Sequence, residues 1–279
     1  MASDKIFNKN EVVLEKIKQA SLYDLESGIL LNRLTSIEDP SLNTTAEKEE
    51  VVDAQGNTIT EIYRAKKATF GGSNSLFSLD LAASQFGTKK VVAGVTKDDD
   101  GNVIAPTIVN YTAETKDIDG VNAKLSHAPV TDGKDAIKYV YIIESGEIGE
   151  AYKVGSAPKA ATDKEIGEVT VANDGTITFP EGISGKVYAE YAFESDEAVR
   201  VVNKANEYPT AGKLVILALF RDKCTDKTIL GSIICPKAKL NPESVDLALT
   251  PTGKHPFEYT MMKDFCSDED ELFEIVLSK

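Results

Sequence analysis

Two unbroken apolar runs stand out in the second half of the chain, residues 214–220 and 229–235, with the polar patch 221–227 between them. A run of that length without polar alternation suits a strand covered on both faces. The pair predicts a central β-hairpin. Pro236 is expected to end the second strand or set it at an edge, because proline donates nothing to a ladder. Upstream, residues 186–193 alternate, with Val187, Ala189, Tyr191 and Phe193 expected inward, and 137–143 carry Ile137, Tyr139, Tyr141 and Ile143 on one face. Residues 168–172 and 176–179 flank Asn173, Asp174 and Gly175, a hairpin turn ending in a glycine. Further strands are expected at 29–34, 245–250, 257–261 and 272–277. Residues 51–52 and 59–63 flank the turn 53–57, where Gly56 is free to take a positive φ.

The polar segment 38–50 shows no apolar period and reads as a long loop of the kind that carries function or meets a partner. Two segments have helical spacing. Residues 10–20 place Val13, Ile17 and Ala20 on one side behind Asn10 as a cap, a narrow stripe suited to a docking arm. Residues 74–86 place Leu76, Leu79, Ala83 and Phe86 on one stripe, with Ser73, Asn74 and Ser75 as caps and Gly87 as the stop. Many short strands with regular turns predict a mainly β (α+β) fold: a β-sandwich or partly closed barrel with a flanking helix and extended loops. Without a linker or repeat, 1–279 reads as one domain: an N-terminal arm (1–25), a hairpin, loop and helix (28–95), and a β continuation (103–277).

Composition narrows the function more than the fold. No apolar run approaches the ~20 residues of a membrane-spanning helix. The start of the chain has no signal-peptide core, so a soluble chain made in the cytoplasm is expected. Three cysteines without CxxC spacing predict reduced thiols, and two histidines are too few for a nitrogen-rich metal site. A formal net charge of −14 provides no basic footprint for phosphates, so tight nucleic-acid binding is not expected. His127 falls in a polar loop and His255 in a turn, and GxSxG, HExxH, GxGxxG and P-loop motifs are absent. Gly71 and Gly72 precede a helix, but outside any phosphate-binding motif. Residues 98–102 (DDDGN) touch the calcium-loop pattern, yet Thr96 and Thr107 stand where two key ligands belong, which leaves a polar turn. No catalytic residue, cofactor or metal is expected.

Taken in order, three stretches resemble the major tail (tail-tube) proteins of tailed bacteriophages. The first runs from 28–34 (GILLNRL) through 43–48 (NTTAEK) and 64–74 (RAKKATFGGSN) to the helix at 79–87. The second joins Tyr208 and Pro209 to 214–224 and 236–240 (PKAKL). The third comprises 245–250 (VDLALT), 255–258 and 272–277. The resemblance implies a structural, non-enzymatic virion protein of the phage tail, assembled in the host cytoplasm without inserting into a membrane. Its copies would form rings, commonly hexameric, stacked into a hollow tube. Partners would be the chain itself, a tape-measure protein, tail completion proteins and double-stranded DNA passing without tight binding. Ring closure would also cover exposed strand edges. An acidic lumen would avoid the counterion-release attraction that slows a polyanion. Candidate contacts between rings are Val13 and Ile17 on the arm, with Asn43, Thr45, Glu47, Gln55, Asn57, Arg64 and Lys67 in the polar segment. Two other readings stay open at this point: a capsid decoration or secretion-tube subunit, and a carbohydrate-binding adhesion module, against which the absence of tryptophan counts.

Overall fold

The computed structural model describes residues 11–162, 164–223, 226–242, 245, 250, 253–265 and 270–278. The chain begins with β1 (Val12–Asp24), β2 (Leu30–Leu34), β3 (Ile37–Val52), β4 (Thr58–Asn74) and helix α1 (Leu79–Phe86). There follow β5 (Val91–Val92), β6 (Ile108–Ile118), β7 (Asn122–Lys124), β8 (Tyr139–Glu144), β9 (Glu147–Val154), β10 (Gly167–Val171), β11 (Thr176–Thr178), β12 (Gly185–Ser195) and β13 (Val199–Arg200). The last strands are β14 (Gly212–Asp222), β15 (Thr228–Leu240), β16 (His255–Met261) and β17 (Glu274–Ser278). The mainly β expectation holds. The chain divides into two compact units, Met1–Lys90 with Val201–Lys279, and Val91–Arg200. The short strands β5 and β13 pair at the two ends of the second unit, which explains why no linker marks it.

The first unit is an eight-stranded sheet in the order β2-β1-β14-β15-β16-β4-β3, with β17 also on β15. Its ends approach each other, because Leu14 and Ile17 of β1 line one groove with Ile37 and Pro40 of β3. The central hairpin is β14 and β15, with Leu214, Ile216, Ala218 and Cys235 fully buried. On the outer face Val215, Leu217 and Leu219 are only half-buried. Pro236 does not end its strand; β15 runs on to Leu240, and the proline sits where the register against β14 slips. A slipped register needs no donor there.

The helix expected at 10–20 is strand β1. Two bulges, at Leu14/Lys16 and Ile17/Gln19, each insert one residue against β14. The residues opposite the inward side of β14 therefore become Leu14, Ile17, Ala20 and Leu22, spaced 3, 3 and 2 apart. A doubly bulged strand thus imitates helical spacing. The second helix starts later than expected. Asn74 still pairs in the sheet, and Ser78 is the cap, accepting the Leu81 N–H at 3.2 Å. Gly87 closes the helix at φ 70, as its position predicts. The segment 38–50, expected as a loop, belongs to β3. The expected strand at 245–250, apart from its two ends, lies outside the described residues, as do Cys224, Cys266 and the first ten residues of the arm.

His255 joins the helix to β16. Its Nδ1 accepts the Ser78 N–H at 3.2 Å and its Nε2 donates to Gln85 Oε1 at 2.7 Å, which fixes a neutral ring. Burial holds its pKa below the ordinary value. Tyr259 is fully buried between Phe70 and Phe257.

The second unit is a seven-stranded sheet in the order β6-β12-β8-β9-β10-β11-β7. Val187, Ala189 and Tyr191 point inward as expected. On β8 the buried residues are Val140 and Ile142, so the tyrosines at 139 and 141 occupy the outer face. Glu114 is the polar centre of this unit. It accepts hydrogen bonds from the Ser126 N–H (2.6 Å), Ser126 Oγ (2.6 Å) and the Tyr191 hydroxyl (2.7 Å), and pairs with Lys116 (2.9 Å). Burial pushes its pKa up, but the hydrogen bonds outweigh burial and hold it down to about 2. A carboxylate with a depressed folded pKa stabilises the fold above its unfolded pKa near 4.5 and loses that contribution as pH falls toward 2. The loss should reach about 2–3 kcal/mol. Protection factors of the β6 and β12 amides in the full chain, the intrinsic exchange rate at each pH divided by the observed one, should therefore fall between pH 4.5 and 3. In Glu114→Gln the fall across that window should be largely absent, and a steeper one would contradict this account.

Candidate assembly surface

The most exposed feature of the first unit is the arm made by β3 and β4. Thr45 pairs with Lys67, Glu47 with Arg64 and Val51 with Thr60, so the antiparallel ladder continues well past the last core residue, Ala68. Within 43–67 every residue is exposed except Asp53, which is half-buried. Asp53 builds the turn. Its carboxylate accepts the Gln55 N–H at 2.9 Å and the Asn57 N–H at 2.7 Å, and the Asn57 side-chain amide donates to it at 2.9 Å. The Asn57 side chain is the chief reason its pKa lies below the ordinary carboxylate range. Gly56 supplies φ 86, which the return of the chain requires.

Along the ladder, Lys48 bridges Glu50 (2.6 Å) and Glu61 (2.5 Å), Arg64 meets Glu49 (3.3 Å) and Lys67 meets Glu47 (3.6 Å). Exposed pairs of this kind contribute little, because water and salt screen them. No apolar face is buried along the arm, and an isolated two-stranded hairpin is marginal in water. Val51, Val52, Ile59 and Tyr63 are nevertheless exposed near its end, Ile59 at 66% and Tyr63 at 62%. The arm thus presents these apolar side chains to solvent.

Of the residues singled out from sequence, Asn43, Thr45, Glu47, Gln55, Asn57, Arg64 and Lys67 fall on this one hairpin. Val13 and Ile17 do not join them; they sit on β1, toward the other end of the sheet order. Sequence reasoning missed the apolar residues of the tip as a surface. It also missed Lys16 and Lys18, which lie exposed on β1.

The histidines occupy structural positions: His127 stacks on Phe193 at 4.2 Å, and His255 is held as described above. The 98–102 segment forms a turn in which Asp98 accepts the Asp100 and Asn102 N–H groups at 3.1 and 2.8 Å. Cys235 is buried, and burial pushes its thiol up to about 11. Among the described residues, no group of three or more His, Cys, Asp or Glu side chains is placed to hold a metal, and no helix is long and apolar enough to cross a membrane.

Compared with known protein families, residues 12–274 match the YomU/Tube protein family. No curated protein matches the chain.

Proposed function

The chain belongs to the YomU/Tube protein family, and from that premise we propose that it is the structural subunit of a phage tail tube. Its copies form rings that stack into a hollow cylinder around a tape-measure protein, and completion proteins cap the cylinder. Genome DNA then passes down the bore. The observation that carries this reading is the β3–β4 arm, a long ladder exposed on every side that a lone chain has no means of covering. Its seven candidate residues make contacts between rings. The formal charge of −14 supports a conduit role, because a wall poor in net positive charge gives a polyanion no counterion-release gain. The chain carries out no catalysis.

Negative-stain microscopy of the purified full-length protein tests the proposal. Rings with a central hole, or tubes that lengthen with protein concentration, are expected. A dispersed monomer at high concentration would overturn the reading, and shells without a bore would favour a decoration protein.

A further inference from the structure

The groove at the seam of the first unit has features that match the tip of the arm. β2 pairs with β1 only from Ala20 to Tyr23, so among the described residues the stretch 12–19 of β1 has β14 on one side and no paired strand on the other. The groove beside it takes Leu14, Ile17, Ile37 and Pro40 as its apolar lining and Lys16 and Lys18 from a polar lining that also holds Glu15 and three hydroxyl side chains. Val13 and Leu14 are 57% and 51% exposed. Lys16 and Lys18 are exposed and hold no ion pair among the described residues, whereas their neighbour Glu15 is engaged by Arg221 at 3.3 Å. The seam therefore mixes apolar and polar side chains, and the two positive charges along it hold no ion pair among the described residues.

The arm has the opposite charge and similar apolar character. Residues 48–64 set Glu49, Glu50, Asp53 and Glu61 against Lys48 and Arg64, a net charge of −2, and the pairs Glu49–Arg64 and Glu50–Lys48 are exposed enough to exchange partners. Val51, Val52 and Ile59 stand exposed among them. A chain cannot place its own tip in its own seam. The groove lies at the start of β3, and from Pro40 to Val52 a paired strand travels roughly 35–40 Å at about 3.3 Å per residue. The two bulges of β1 also disfavour a continuous ladder with an added strand. A contact through side chains is what this seam can accept.

We infer that the acidic tip of the β3–β4 arm of one copy docks in the β1–β3 seam of a second copy, with Glu49 and Glu50 meeting Lys16 and Lys18 and the valines meeting Leu14 and Pro40. The inference rests on the reading that copies of the chain assemble; it adds the surface that receives the arm.

Reciprocal charge reversal in the full chain is the test. All four positions are exposed, and circular dichroism verifies that each variant folds. K16E/K18E and E49K/E50K should each raise the protein concentration needed for sedimentable assemblies by about tenfold, since like charges then face each other. The quadruple variant should return to within about twofold of the natural chain. Assembly of either double variant at the natural concentration overturns the inference and leaves the tube reading standing. So does a quadruple variant no better than the doubles. A natural chain that never assembles overturns both.

Discussion

A chain in which residues 46–66 are replaced by Asn-Gly is expected to fold normally and remain dispersed. The replacement joins Thr45 to Lys67, which already face each other across the ladder, through the two-residue turn that suits a hairpin of this hand. Nothing in the buried core of the first unit is touched, because its members near the arm are Ala68 and Phe70, with Leu42 packed against them. The ion pairs that disappear are exposed and individually weak. Denaturant midpoints should thus stay close to those of the natural chain, within about 1 kcal/mol in stability. Assembly should be lost outright, since the truncation removes the tip with Glu47, Gln55, Asn57 and Arg64, most of the surface assigned to contacts between copies. Sedimentation and negative staining, run beside circular dichroism, separate the two effects. Normal tubes from the shortened chain would show that the arm is dispensable.

Gly87→Ala should have the largest effect on stability. The glycine ends α1 at φ 70, where a side chain costs about 1–2 kcal/mol. A Cβ there would also lie 2.2 Å from the Tyr208 carbonyl carbon and 2.3 Å from its oxygen, and both are backbone atoms. No rotamer change relieves that overlap, so the helix end or the Tyr208 segment must shift. The combined cost is expected to be about 3–5 kcal/mol, enough to consume much of a domain's stability. Gly56→Ala is the matched control. Its φ is 86, but the added carbon would meet nothing within 4 Å. Urea unfolding should show a small loss at Gly56 and a severe loss at Gly87; equal losses would mean that the contact with Tyr208 is unimportant.

The parts of the fold legible from sequence were those whose pattern is set locally. The central hairpin, the turn at 53–57, the turn at 173–175 and the glycine stop at Gly87 each follow from neighbouring residues. The misreadings arose where pairing partners decide. β1 resembles a helix only because β14 imposes bulges on it. The arm read as a loop because a ladder with water on both faces has no buried side and hence no alternation. Its residues were picked out by polarity and length alone, which located the surface but not its shape. The seam lysines carried no signal of their own, since only the limited reach of β2 leaves that stretch of β1 paired on one side alone.

The pairing of β5 with β13 has a consequence for how such a chain can change. Val91–Val92 and Val199–Arg200 are hydrogen-bonded neighbours, so the roughly hundred residues between them leave and rejoin at nearly one point. A recombination event with breakpoints at these two valine-bearing strands could trade that module for another of different length without stretching the flanking backbone.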